Sequence, residues 1–236
     1  MKNEAIHAMV ISPHPADPEF GIGGTVARWT REGKEVVYVI CTNGDKGTSL
    51  PELMPEELAK IRKQEQLKAA GLVGVKNVIF LPHPDLELED TPELKKEILR
   101  LILMYRPTIV ATCDPNYSKF TSNPDHRVAG RVALDVVWPM ALAPNTYRDL
   151  LKEGLKLHRV KEMLLWQTAE PNYYSDISDT YDIKMAACRC HESQIGAQGN
   201  APDFADRLTD MAKTAAKAGN YKWAEAFHRM EVLQRL

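Results

Sequence analysis

The sequence predicts an α/β protein in which a mostly parallel sheet carries helices on both faces. Short apolar runs rich in β-branched residues occupy positions 8–11, 35–41, 77–81 and 108–113, and longer helical patterns alternate with them. This alternation is typical of parallel strands joined by right-handed crossovers. The chain has 236 residues and no internal repeat or linker, which favours one domain over residues 1–236.

The helical patterns begin and end at recognisable signals. The first covers residues 26–32 and the second covers 55–70, where glycines follow. The third starts at the N-cap Thr91 and runs to about residue 105, because Pro107 cannot continue a helix. Further along the chain, residues 162–167 and 173–177 are predicted strands. Residues 179–192, 202–217 and 221–236 are predicted helices.

Composition excludes some classes of partner. Hydrophobic residues make up 44% and charged residues 26% of the chain, and the formal net charge is -2, so charge gives no reason to expect a nucleic acid or an anionic membrane as partner. There is no apolar run of membrane-spanning length and no secretory signal, so we expect a cytoplasmic protein. Homo-oligomerisation stays open. The four cysteines do not form a disulfide framework, and we expect them to pack in the core as Cys41, Cys113, Cys188 and Cys190.

A polar segment follows the first strand, at the place where an α/β sheet binds ligands. It contains His14 and Asp17, three residues apart, and both imidazole and carboxylate groups coordinate zinc. The segment is also rich in proline and glycine, so a rigid connection without chemistry is the alternative. His126, at the start of the helix after the fourth strand, reaches the same edge of the sheet.

Several motifs occur in a fixed order along the chain. They are His14-Pro-Ala-Asp17, Phe20-Gly-x-Gly-Gly-Thr25, Thr42-x-Gly-Asp45, Arg62-x-x-Glu65, Pro124-Asp-His126 and His191-x-Ser-Gln194. Together they resemble the LmbE-like (PIG-L) deacetylases. The resemblance implies a Rossmann-like fold and a Zn²⁺-dependent hydrolase that removes an N-acyl group, mostly acetyl, from an amino sugar or related small molecule.

The resemblance also implies roles for individual residues. His14, Asp17 and His126 match the family's zinc ligands, and such a set leaves room on the metal for water and for an amide oxygen. The family's general base is the first aspartate of its His-Pro-Asp-Asp motif, and Ala16 stands at that position. Since a methyl group takes no proton, we expect impaired activity.

A second departure is Asn123, where many family members have a histidine that stabilises the oxyanion. The asparagine amide donates a hydrogen bond but delivers no proton to the leaving amine. Two altered positions favour a naturally changed site over an engineered one. Glu19 and Asp45 are candidate replacement carboxylates, although both are also typical of solvated loop acids.

Four further residues are candidates for the site. Asp125 is expected to orient a ligand or the oxyanion donor, and Asp85 resembles the family's contact to a sugar hydroxyl. Arg62 holds a substrate oxygen or pairs with Glu65. His228 resembles a C-terminal histidine that some members bring to the site, and a solvated helix position is the alternative. We expect structural roles for two other histidines, His83 and His191.

Three rival interpretations differ in their predicted fold or chemistry. Two histidines and a carboxylate also form the site of non-haem iron oxygenases, but those sites usually lie on jelly-roll folds. The Gly21-x-Gly-Gly segment indicates a dinucleotide turn only weakly, because Val26 replaces the third small residue. The stronger rival is a non-catalytic, zinc-containing ligand-binding protein of the same fold, which Ala16 favours.

Overall fold

Seven strands form one sheet in the computed structural model, which describes residues 5–48, 52–117, 123–195 and 203–233. Their bounds are β1 Ala8–Ser12, β2 Val36–Thr42, β3 Asn77–His83, β4 Ile109–Cys113, β5 Glu162–Trp166, β6 Tyr173–Asp176 and β7 Ala224–Glu231. The order across the sheet is β3-β2-β1-β4-β5-β7-β6. Strands β1 to β5 are parallel, whereas β7 runs antiparallel to both β5 and β6.

Helices connect the strands and cover both faces of the sheet. In the described part of the chain they are α1 Asp17–Arg31, α2 Pro55–Leu72, α3 Pro92–Tyr105, α4 Pro124–Val137, α5 Arg148–Lys152, α6 Tyr181–Cys188, α7 Glu192–Ile195 and α8 Phe204–Gly219. A short 3-10 helix covers Met140–Leu142. The predicted three-layer α/β architecture with a mostly parallel sheet is therefore confirmed.

The strand order creates a crevice beside β1. This strand pairs with β2 on one side and with β4 on the other, with Ala8 opposite both Val36 and Ile109. The chain winds from β1 toward β2 and β3 and then returns to the opposite side at β4. Loops that leave β1 and β4 consequently diverge at the carboxyl edge, which is where open α/β sheets bind ligands.

Two apolar layers hold the helices against the sheet. Side chains of alternate strand residues, such as Met9 and Ile11, pack with α3 and α4 on one face. Val10 and its neighbours on the other face pack with α1, α2 and α6. Because both faces of the central strands are covered, β1 and β2 are buried along their whole length.

Two predicted elements differ from the structure. Helix α1 begins at Asp17 rather than at residue 26, because Pro18 is tolerated in a first helical turn and the glycines that follow are accommodated by close packing. Residues 224–231 form β7 and not part of a helix, so that prediction was wrong. The alanine and glutamate residues of this segment favour a helix, but pairing with β5 and β6 overrides that preference.

All four cysteines are free and buried, as expected. Burial raises the pKa of the thiols of Cys41, Cys188 and Cys190, which disfavours their thiolate forms. Their contribution is packing. Among the helices in the described ranges, none is long and apolar enough to cross a membrane.

Helix α1 approaches the β6 end of the sheet at Gly24. A methyl group at Gly24 would lie 2.8 Å from Cδ1 and Cγ2 of Ile177, whereas the nearest heavy atoms to a methyl group at Gly23 would be 3.6 Å away. The first distance is far inside van der Waals contact. Only one of these adjacent glycines is therefore required by packing.

We predict that Gly24→Ala lowers the free energy of unfolding by about 1–3 kcal/mol, because an overpacked site must shift. The matched control Gly23→Ala is expected to be neutral, or to stabilise by up to about 1 kcal/mol through helix propensity. Urea denaturation of the two variants measures the difference. Equal stabilities would contradict the tight contact between α1 and Ile177.

Candidate metal centre

Short-range hydrogen bonds in the loop after β1 bring His14 and Asp17 together. Ser12 Oγ donates to the carbonyl oxygen of His14 over 3.0 Å, and the backbone N–H of His14 donates to Asp17 Oδ2 over 3.1 Å. The Nδ1 atom of His14 lies 3.0 Å from the same carboxylate oxygen. Both side chains are thus fixed on one rigid turn.

The first turn of α4 carries His126 to the same point. Asn123 is the N-cap of this helix, and its Oδ1 accepts from the backbone N–H of Asp125 over 2.9 Å. His126 Nε2 lies 3.2 Å from Asp17 Oδ2, and its Nδ1 lies 3.2 Å from Oε1 of Gln167, just after β5. With that amide oxygen as acceptor, the ring proton is assigned to Nδ1 and the Nε2 lone pair faces Asp17.

Asp125 fixes the tautomer of His14. Its Oδ2 lies 3.1 Å from His14 Nε2 and also accepts from the backbone N–H of Leu86 over 2.7 Å. The other oxygen accepts from the backbone N–H of Leu88 over 3.2 Å. A carboxylate only accepts, so the imidazole proton belongs on Nε2 and leaves the Nδ1 lone pair directed at Asp17.

Three lone-pair atoms therefore converge in the crevice: His14 Nδ1, Asp17 Oδ2 and His126 Nε2. They lie within 4.8 Å of one another. Such an arrangement is repulsive unless a proton or a cation lies between the atoms, and two imidazole nitrogens with one carboxylate suit zinc. The residues present fit a metal ion, and their identity as its ligands stays a prediction.

The electrostatics of these groups reflect the same crowding. Burial alone lowers the pKa of His14, but the neighbouring carboxylates of Asp125, Asp17 and Asp85 outweigh burial and raise it to about 10. For His126, burial is likewise outweighed, here by the charge of Asp17, and the pKa is raised well above its ordinary value. Burial raises the pKa of Asp17, but the two histidines hold it well below its usual range. Without a metal ion, these shifts favour a proton at the place that suits a cation.

Asp85 and Arg62 lie beside this centre with unused hydrogen-bonding atoms. Asp85 Oδ1 is 3.0 Å from His14 Nε2. That nitrogen nevertheless forms its hydrogen bond with Asp125 and not with Asp85, whose direction is unsuitable. Among the described residues, the buried atoms Asp85 Oδ1 and Arg62 Nε have no hydrogen-bond partner. Arg62 Nη1 lies 3.7 Å from Asp85 Oδ2. An acceptor and a donor are thus available close together.

Arg62 does not pair with Glu65, one of the two possibilities that the sequence left. Its guanidinium donates to the carbonyl oxygens of Gly44 and Pro15, over 2.8 and 2.7 Å. Glu65 instead accepts from the backbone N–H and the hydroxyl of Ser193. Arg62 therefore ties together the loops that follow β1 and β2.

Ala16 has an unusual backbone for alanine, with φ 88° and ψ -35°. Its N–H donates to Oε1 of Gln66 over 2.8 Å. Sequence reasoning missed Gln66, although its spacing of four residues from Arg62 puts both side chains on one face of α2. Residue 16 directly precedes Asp17, so the altered position adjoins one of the candidate ligands in the chain.

The two candidate replacement carboxylates are engaged elsewhere. Glu19 is fully buried, accepts from Gln66 Nε2 over 3.0 Å, and lies 3.0 Å from His191 Nε2. It is not a solvated loop acid, and His191 has the structural contact that we expected. Asp45 Oδ1 accepts from the backbone N–H of Asp85 over 3.0 Å. Neither belongs to the group of converging atoms.

His228 lies on β7 opposite Leu165 of β5, and not on a helix. Its Nδ1 donates to the carbonyl oxygen of Glu170 over 2.9 Å, which leaves Nε2 with the lone pair in the neutral ring. Among the described residues, no hydrogen bond joins His228 to the three candidate ligands. The antiparallel pairing nevertheless puts it near the carboxyl end of β5, which also leads to Gln167.

The chain matches the model of a known protein family. The model described as PIG-L, GlcNAc-PI de-N-acetylase, matches residues 9–137, which run from β1 to the end of α4 and include all three converging residues. The chain belongs to the PIG-L family. This membership confirms the resemblance that the motifs predicted.

Similar proteins support the assignment over most of the chain. A diacetylchitobiose deacetylase of Thermococcus kodakarensis is 39% identical over 193 residues, covering 82% of this chain and 72% of the relative. The solved structure of the N,N'-diacetylchitobiose deacetylase from Pyrococcus horikoshii, in complex with the inhibitor MPG, superposes with a TM-score of 0.90 at 32% identity, covering 96% of this chain and 84% of the other.

A third similarity concerns the fold alone. A 4-carboxy-2-hydroxymuconate hydratase from Pseudomonas putida has a TM-score of 0.78 at 20% identity, covering 99% of this chain and 98% of the other. Its activity, as described, is not amide hydrolysis. The architecture by itself therefore does not determine the reaction. The reaction must be inferred from the residues in the crevice.

Proposed function

We propose that this PIG-L family member is a zinc-dependent hydrolase that removes an N-acyl group, foremost N-acetyl, from an amino sugar or related amide. The convergence of His14 Nδ1, Asp17 Oδ2 and His126 Nε2 in the crevice carries the proposal. The deacetylase relatives support the substrate class. Zinc, when bound, would polarise the amide carbonyl and acidify a water molecule.

The protein's own groups would hold and orient the reacting partners. Asp125 holds the Nε2 proton of His14, so that Nδ1 stays available as a ligand. The amide nitrogen of Asn123 lies 3.1 Å from His14 Nε2, and the Oδ1 of Asn123 is fixed by the α4 N-cap. Because the protonated Nε2 cannot accept a hydrogen bond, an N–H of this amide stays available to the substrate. We assign Asn123 to the substrate carbonyl, where an N–H donor would stabilise an oxyanion.

We propose that Asp85 and Arg62 bind the sugar ring of the substrate. The buried Oδ1 of Asp85 is an acceptor without a donor, and the buried Nε of Arg62 is a donor without an acceptor, within the described residues. Buried polar atoms are normally paired. A hydroxyl group both donates and accepts, so one or two adjacent sugar hydroxyls would satisfy both atoms.

Ala16 makes reduced activity part of the proposal. No carboxylate from Glu19 or Asp45 replaces the family's base, because both are bonded elsewhere. The same observation favours a second candidate, a non-catalytic protein of this fold that keeps zinc and binds the amide ligand. We further propose one domain, a small-molecule partner rather than nucleic acid or membrane, and a cytoplasmic location; homo-oligomerisation stays open.

The metal assignment predicts one zinc ion per chain. Replacement of His14, Asp17 and His126 by alanine should abolish zinc retention after dialysis, because the three ligand atoms are lost together. His83→Ala is a matched control. His83 Nε2 pairs with Glu97 of α3 over 2.9 Å and does not belong to the converging group, so this variant should keep full occupancy. Metal analysis decides the matter, and full occupancy in the triple variant would place the zinc elsewhere.

Restoring a carboxylate should restore turnover. We predict that Ala16→Asp raises the rate of hydrolysis of N-acetyl amino sugars by about 10²-fold or more, because a base then stands beside the metal-bound water. Ala16→Asn has nearly the same shape but no base and should stay at the starting rate. A folded, zinc-loaded Ala16→Asp variant that cleaves no amide in a broad panel would instead support the ligand-binding candidate.

In its doubly protonated form, with a proton on Nε2, His228 is our proposed proton donor to the leaving amine, because Asn123 has no proton to deliver. In the Ala16→Asp background, His228→Gln should lower kcat by about 10²-fold while zinc occupancy stays unchanged. His158→Gln is the control, since His158 lies 2.7 Å from the carbonyl oxygen of Pro107 at the opposite edge of the sheet. If only KM changes in steady-state kinetics, His228 binds substrate and the acid is another group.

A further inference from the structure

The peptide bond between Pro15 and Ala16 is held at both ends by one helix. Its carbonyl oxygen accepts from Arg62 Nη2 over 2.7 Å, and its N–H donates to Gln66 Oε1 over 2.8 Å. Arg62 and Gln66 are four residues apart, so they lie one above the other on the same face of α2. The helix thus determines the rotation of this single peptide plane.

That plane determines the conformation of residue 16. A φ of 88° is in the left-handed region, which favours glycine, asparagine and aspartate over alanine. Such a conformation costs on the order of 1–3 kcal/mol and persists only where surrounding contacts enforce it. Because Asp17 is the next residue, a relaxed φ at Ala16 would turn the Asp17 carboxylate away from His14 and His126.

The orientation of the Gln66 amide is itself enforced. Its Nε2 donates to both oxygens of Glu19, over 3.0 and 3.1 Å, and Glu19 also accepts from His191 Nε2 over 3.0 Å. The side chains of Glu19, Gln66 and His191 are each 0% exposed. Since a carboxylate only accepts, the amide group cannot flip, and its oxygen must face the N–H of Ala16.

We infer that Gln66 is a positioning residue for the candidate metal centre, and that Glu19 and His191 act through it. Gln66 holds residue 16 in its left-handed conformation and thereby aims the Asp17 carboxylate into the crevice. This role rests on the proposed metal site, but the hydrogen bond to the Ala16 N–H exists independently of any ion. Two separate measurements can therefore follow it.

The first variant, Gln66→Met, keeps the volume and removes the acceptor. Hydrogen exchange of the Ala16 amide, followed by NMR in the metal-free protein, should accelerate at least about 10-fold relative to core amides of β1. Zinc affinity, measured by competition with a chelator, should fall by about 10- to 100-fold, as for other residues that orient ligands. Thr180→Val is the control: it removes a buried hydrogen bond to the carbonyl oxygen of Gly24 in α1 and should leave both quantities unchanged.

A charge swap tests the orienting role of Glu19. Gln66→Glu alone sets two buried carboxylates against each other and should impair both quantities at least as much as Gln66→Met. Combined with Glu19→Gln, every hydrogen bond of the network has a donor and an acceptor again, and both quantities should return to within about 3-fold of the starting protein. A merely structural role would not give this pattern of loss and rescue.

The outcomes separate this inference from the proposed function. If the Gln66→Met variant kept the Ala16 amide exchange rate and the zinc affinity of the starting protein, the positioning role would be overturned. Failure of the folded double variant to recover would overturn the part assigned to Glu19. If the starting protein binds no zinc, the metal site is wrong and the aiming of Asp17 toward a metal falls with it, while amide exchange still tests whether Gln66 holds residue 16.

Discussion

Three nitrogen atoms lie close to the carboxylate oxygen Oδ2 of Asp17, and the surrounding loops hold them there. The backbone nitrogen and Nδ1 of His14 come from the same turn, and Nε2 of His126 comes from α4. These groups meet because β1 lies between β2 and β4, so that the loops after β1 and β4 border one crevice. The strand order thus brings together residues more than one hundred positions apart.

Buried charge around this contact is balanced by a second layer of polar groups. Asp125 is satisfied by backbone N–H groups of the loop after β3, and Arg62 bridges the loops after β1 and β2. Removing one member of such a network leaves another buried and unpaired, which costs far more than the net value of the contact. These contacts join the loops after β1, β2 and β3 to helices α2 and α4 and make the site rigid, whereas Asp85 Oδ1 and Arg62 Nε stay unpaired among the described residues.

Helix α1 connects the crevice to the far end of the sheet through buried charges. Glu19 faces Gln66 and His191 near its start, and half-way along the helix Glu225 of β7 accepts from the N–H groups of Gly24 and Thr25. Lys184 of α6 pairs with Glu225 over 2.5 Å and donates to the carbonyl oxygen of Phe20. This framework is intact in a chain whose residue 16 is alanine, so the scaffold of the centre does not depend on the base that the family usually carries there.

The sequence by itself predicted the strands β1 to β6, the helices α2 to α4, α6 and α8, and the residues of the candidate centre, whose role as metal ligands stays a prediction. Their signals are local: apolar strand runs, an N-cap threonine before proline, and a histidine and an aspartate spaced on one turn. Only the tertiary structure decided the rest. Residues 224–231 contain strong helix formers but pair as β7, because the free edge of β5 and the strand β6 offer backbone partners that no local pattern records. Gln66, Glu19 and His191 likewise meet only when α1, α2 and the segment after α6 pack together, since hydrogen bonds between distant side chains leave no periodic mark in a sequence.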